Sequence, residues 1–149
     1  MKMNTKVRYG LRTMIELAMN AGNSGLLQKD ISERQDISIK YLDKIISELK
    51  SAELIMNVAG KKSGYILSRD ASEITVNDIY RAFEGKLTII QCLNEKSLCC
   101  RNDQCASQEF WIKLNTEIEA TLLYTTLKSL SVRQKHLDIE QVQSLNFQI

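Results

Sequence analysis

Proline is absent from the 149 residues, glycine occurs six times, and tryptophan and histidine occur once each. A chain so poor in turn-forming residues favours helices joined by few sharp turns. No apolar run approaches the length of a membrane span, and none follows the charges of the opening Met1 to Gly10. The expected location is therefore cytoplasmic, with no membrane association. One histidine, no phosphate-cradling glycine loop, no paired catalytic carboxylates and no Ser/His/Asp set argue against an enzyme. Charge is almost balanced at 20 basic and 18 acidic side chains, but it is uneven: residues 1–70 hold twelve and eight, residues 71–149 eight and ten. That skew gives weak support to a polyanion-binding half followed by an association half.

Apolar residues recur at helical spacing from Thr5 to Ala21 (Val7, Leu11, Met14, Ile15, Leu17, Ala18), with Thr5 as the expected N-cap. A short helix is expected over about Gln28 to Gln35. After Asp36-Ile37, Ser38 can cap a third helix running from Ile39 to about Ala52, with Leu42, Ile45, Ile46 and Leu49 inward. The period then changes. The runs Leu54 to Val58 and Tyr65 to Leu67 read as a two-stranded hairpin with a basic tip. Thr75 and Asp78 form a capping box that opens a fourth helix ended by Gly85. A long helix is expected from about Ser107 to Ser129, with Trp111, Leu114, Ile118 and Leu122 as a seam or as core. The remainder from Val132 lacks periodicity and reads as a flexible tail.

Helix, short helix, turn, helix and basic hairpin is the element order of a winged helix-turn-helix. The fold class is mainly α with a small β-hairpin. Its divisions are residues 1–85 for DNA binding, 86–106 for a cysteine-rich loop, 107–130 for a dimerisation helix and 131–149 for the tail. A helix fits the major groove, so Ser38, Lys40, Tyr41 and Lys44 at the start of the third helix are candidate groove contacts. Lys61 and Lys62 at the hairpin tip, with Lys6 and Arg8 on the first helix, are candidate phosphate contacts. Taken singly, each lysine is more often solvated surface. Tyr41 has the alternative of packing on the second helix, and Asp43 is either surface or an acceptor for a cytosine amino group.

All four cysteines, Cys92, Cys99, Cys100 and Cys105, fall within fourteen residues. In a reducing compartment such a gathering points to a soft-metal or redox centre rather than to structural disulfides. An iron–sulfur cluster, a four-thiolate zinc site, a metal-free thiol switch and inert structural cysteines all use these residues.

Four stretches together resemble the IscR/NsrR-type winged-helix regulators of the Rrf family. They are Thr5 to Leu11, Ile31 to Leu42, Gly64 to Leu67 and Asp70 to Ile74, lying in the family's order, and the likeness covers about residues 1–130. It implies a homodimer on a palindromic double-stranded operator, with an iron–sulfur cluster (2Fe–2S, alternatively 4Fe–4S, and none after aerobic purification) held before a dimerisation helix. Cys92, Cys99 and Cys105 match the family's three ligands, with six and five residues in the gaps. The fourth ligand differs. Where relatives place a histidine this chain has Gln108, and where others place an acidic residue it has Arg8; His136 lies far along the chain. Cys100 is left as a fourth thiolate, with Gln108 or Glu109 as weaker donors. Ala59 stands where many members carry a basic residue before the wing glycine.

The function so implied is an operator affinity set by a cluster that senses iron–sulfur status, redox state or nitric oxide. The alternative keeps the fold but is clusterless, controlled by thiol oxidation or a protein partner in sulfur or cysteine metabolism. An electron carrier would leave the helix-turn-helix and basic wing unexplained.

Overall fold

The computed structural model describes residues 3–22, 24–59, 64–93 and 104–146. Helix α1 (Thr5–Met19) is the central element and touches α2 (Gln28–Gln35), α3 (Ile39–Ser51), strand β2 (Tyr65–Leu67), α4 (Val76–Glu84) and α6 (Leu127–Asn146). Its N-cap is Asn4, one residue before the expected Thr5. The Asn4 side chain accepts from the Lys6 amide at 3.0 Å, because its amide oxygen reaches the orphan donors of the first turn. Gly10 lies under the Phe83 ring of α4, where an added Cβ would overlap the ring.

The core gathers Met14, Ile31, Leu42, Ile45, Leu49, Ile74 and Ile79, all with no exposed surface. Burial of each such side chain stabilises by about 1.5–3 kcal/mol before entropy is counted. Helix α2 ends at Asp36 in the left-handed region (φ 52°), and the Ile37 amide closes the turn on the Ser32 carbonyl at 3.1 Å. Ser38 then caps α3 by accepting from the Tyr41 amide at 3.3 Å. The expected helix-turn-helix forms as read.

Strands β1 (Ile55–Asn57) and β2 pair antiparallel, Met56 opposite Ile66. The hairpin is tied to the α1–α2 connection: Leu26 and Tyr65 exchange both backbone hydrogen bonds, at 3.0 and 2.8 Å. This requires Gly25 and Gly64 to approach with no side chain between them. The wing tip, with Lys61 and Lys62, lies outside the described residues.

The expected capping box opens α4. Thr75 accepts from the Asp78 amide at 3.2 Å, and Asp78 accepts from the Thr75 amide at 2.9 Å. A 3₁₀ turn, Gln91–Leu93, precedes the cysteine-bearing segment, of which residues 94–103 lie outside the described residues, and α5 (Ala106–Tyr124) follows it.

Two expectations are corrected here. The long helix does not run from Ser107 to Ser129. It stops at Tyr124, because Thr125 and Thr126 are held extended against the start of α4: the Val76 amide donates to the Thr125 carbonyl at 2.9 Å, and Thr126 bridges Thr75. Nor is the segment after Val132 an irregular tail over residues 132–146. It continues α6, which begins with Leu127 fully buried and packs along α1.

Candidate nucleic-acid interface and cysteine segment

The first turns of α3 project Ile39, Lys40 and Lys44 to solvent. Neither lysine forms an ion pair among the described residues, so both charges are available to an anion. Ser38 is committed to its cap. Tyr41 is half-buried and packs edge-on against Tyr9 of α1, ring centres 5.8 Å apart. Asp43 is exposed on this face, and its Oδ1 accepts from Gln28 Nε2 of α2 at 2.5 Å.

Thr5, Tyr9, Ser38 and Tyr41 line a shallow cleft beside this face. Sequence reasoning missed Tyr9, whose only signal was two tyrosines near the starts of their helices. It also missed Arg12, which lies 5.3 Å from the Tyr9 ring and donates to the Gln35 carbonyl at 2.6 Å, fastening α1 to α2. Arg8 is exposed and makes no ion pair among the described residues. Lys6 differs: its ammonium donates to Glu48 of α3 at 2.6 Å. That hydrogen bond first, and the Glu48 charge second, raise its pKa above the ordinary lysine value. Lys6 therefore braces α1 against α3 before it reaches any phosphate.

Of the cysteines, the backbone of Cys92 stands in the 3₁₀ turn, and Cys105 is the half-buried residue immediately before α5. Cys105 Sγ lies 3.2 Å from Ser107 Oγ, and its carbonyl accepts from the Gln108 amide at 3.0 Å. Cys99 and Cys100 lie outside the described residues. Among the described residues no three His, Cys, Asp or Glu side chains come together as metal donors. Gln108 is half-buried and Glu109 exposed on the first turn of α5, while His136 is exposed on α6. The chain entering the loop is fastened to α5 by the Ile89 amide, which donates to Asn115 Oδ1 at 3.1 Å.

Trp111, Ile118 and Leu122 share the helical face of Asn115, the face turned to α4 and the 3₁₀ turn of the same chain, and are half-buried there. The exposed large apolar residues of α5 are Phe110 (57% exposed), Ile112 (50%), Leu114 (37%), Leu123 (46%) and Tyr124 (86%); of these, Phe110, Leu114 and Tyr124 fall on one side of the helix.

Among the described residues no helix is long and apolar enough to cross a membrane. The family described as "Rrf2: Iron-dependent Transcriptional regulator" matches residues 3–133. The chain is similar to CymR, the global cysteine regulator of B. subtilis: 32% identity, TM-score 0.78, covering 89% of this chain and 98% of that one. It is also similar to T. potens IscR, at 33% identity and TM-score 0.73, covering 91% and 90% of the two chains. A third likeness is to the oxidized form of Staphylococcus aureus CymR, at 36% identity and TM-score 0.69, covering 88% and 96%. The relatives are regulators, not enzymes, and the likeness runs through most of this chain, the helix-turn-helix and hairpin included. The chain belongs to the Rrf2 family and is a DNA-binding, winged-helix transcriptional regulator.

Proposed function

We propose that the protein acts as a homodimer on a palindromic operator, and that its affinity there follows the state of an iron–sulfur cluster held by the cysteine segment. The observation that carries this reading is the placement of Cys92 and Cys105. One stands on the 3₁₀ turn packed against α5, the other at the start of α5 itself, with the remaining two cysteines in the loop between them. The donor set fits such a group: thiolates are the preferred ligands of soft iron centres, and the Cys105 sulfur has a hydroxyl at hydrogen-bond distance. Cys92, Cys99 and Cys105 would hold the cluster, with Cys100 as a fourth thiolate. When bound, such a cluster supplies a core whose integrity depends on iron, oxidants and nitric oxide.

The rest of the mechanism lies in this chain's own contacts. Helix α5 packs on α4, and α4 packs on α1 and α3. A loop ordered between residues 92 and 105 fixes the seat of α5, and through it the tilt of α3, in each subunit. A coupling of about 1–3 kcal/mol separates a strong operator binder from a weak one. Phe110, Leu114 and Tyr124 supply an outward apolar surface for the second subunit. Lys40 and Lys44 would serve the groove, and Lys61 and Lys62 would neutralise phosphates.

Strictly anaerobic purification, with iron and labile-sulfide analysis and operator gel shifts before and after chelation, tests the proposal. Bound iron and sulfide are expected together with an affinity that changes on their removal. Metal-free protein after anaerobic reconstitution, or unchanged affinity, overturns it.

A second reading has specific support. One of the similar CymR proteins is a global cysteine regulator, another has been captured in an oxidized form, and this chain has one cysteine beyond three. A clusterless regulator governed by thiol oxidation or a protein partner in sulfur metabolism would bind its operator independently of iron. Peroxide treatment would then change affinity in step with a disulfide seen by mass spectrometry. Replacing Cys92, Cys99 and Cys105 with alanine abolishes iron dependence in the first case and peroxide dependence in the second.

A further inference from the structure

A cavity of about 650 Å³ opens where the C-terminal end of α1, strand β2 with the turn after it, and the first turns of α6 meet. That volume lies within the range of roughly 300–1,000 Å³ found for small-molecule sites. Leu17, Ala18, Leu67 and Val132 form an apolar wall, and Val132 is left 48% exposed beside it. Arg69, Lys128 and Lys135 supply positive charge, while Asp70 is the only acid in the lining.

The charges are unequally satisfied. Arg69 is paired with Asp78 at 3.4 Å. Asp70 accepts from the Ser72 amide and hydroxyl, which with the nearby Lys128 charge hold its carboxyl below the ordinary range and keep it ionised. Lys135 has no acidic partner among the described residues. The neighbouring cavity, which Lys135 also borders, differs in that its buried acid is fully answered: Arg34, Gln35 and Asn20 all donate to the Glu16 carboxylate.

We infer that the cavity between α1, β2 and α6 binds a small organic anion, with its apolar body against Leu17 and Val132 and its charged group at Lys128 and Lys135. An occupant there spans two parts of the reader. Strand β2 carries the wing and is stitched to Leu26, whereas α6 is bonded to the chain before α4 through the Lys128 amide and the Ala71 carbonyl, 3.0 Å apart. The site is thus placed to report a metabolite to the wing independently of the cysteine segment, and it stands whichever reading of that segment holds.

The test uses hexanoate as the probe and hexylammonium, of the same length and opposite charge, as its control. Amide chemical shifts of the full-length protein are followed by NMR. Hexanoate is expected to give saturable shifts at Ala21, Ala71 and Val132, with hexylammonium binding at least tenfold more weakly. In Lys128→Glu/Lys135→Glu, two exposed positions, the preference should invert. Such an inversion cannot come from misfolding, which would abolish binding of both probes. Equal response to the two probes, no response to hexanoate, or an unchanged preference in the double variant overturns the inference.

Discussion

Thr13 is fully buried on α1, and its hydroxyl has no hydrogen-bond partner among the described residues. A buried, unsatisfied polar group costs about 1–3 kcal/mol. Thr13→Val keeps the shape and removes the hydroxyl, so it is expected to raise the denaturant midpoint without altering operator binding. Asp70 yields a pH prediction with a definite sign. Its folded pKa is lowered by Ser72 and then by Lys128, so its stabilising contribution is present above the ordinary value of 3.8 and lost as pH falls through the folded value. Wild type and Asp70→Asn should differ in melting temperature near neutrality and converge in acid. At this scale the sequence was legible where a residue acts on its near neighbours: Ser38 and the Thr75–Asp78 box cap their helices as their spacing implies. It was not legible where a charge finds its partner across the fold. Nothing local announces that Lys6 will meet Glu48, or Asp43 Gln28, before either meets DNA.

Elements with a strong apolar stripe could be read; those shaped by distant bonds could not. Helix α3 buries Leu42, Ile45, Ile46 and Leu49 at helical spacing, and its ends fell where expected to within a residue. The break at Thr125 arises from hydrogen bonds to residues 74–76, some fifty positions earlier, so the run from Trp111 to Leu122 gave no sign of it. Helix α6 escaped notice because only its first turns are apolar inward; Gln134 and Asp138, further along, line a polar cavity against α1. Leu127 anchors this helix, and Leu127→Ala should cost about 2–5 kcal/mol of unfolding free energy, measured by urea titration. For the wing, alanine at Lys61 or Lys62 should flatten the log–log dependence of operator affinity on salt by about 0.9 for each phosphate no longer neutralised. Alanine at Lys6 should do so less, because its charge is already engaged by Glu48.

For the whole molecule, the surface left uncovered on α5 bears on assembly. No residue of α5 is buried in the single chain, and the exposed Phe110 and Tyr124 lie outside the expected seam of Trp111, Leu114, Ile118 and Leu122, of which Leu114 alone is exposed. Phe110→Asp with Tyr124→Asp is therefore expected to shift sedimentation from dimer to monomer at micromolar concentration, while Trp111→Ala should mainly lower stability. The stitch between Leu26 and Tyr65 has a consequence of its own. Because the hairpin base is clamped to the connection before α2, the angle between hairpin and reading helix is set during folding, like the jaws of a calliper locked before measurement. Little ordering of that region then remains for the encounter with an operator, and calorimetry should find a heat-capacity change close to that of two rigid surfaces meeting.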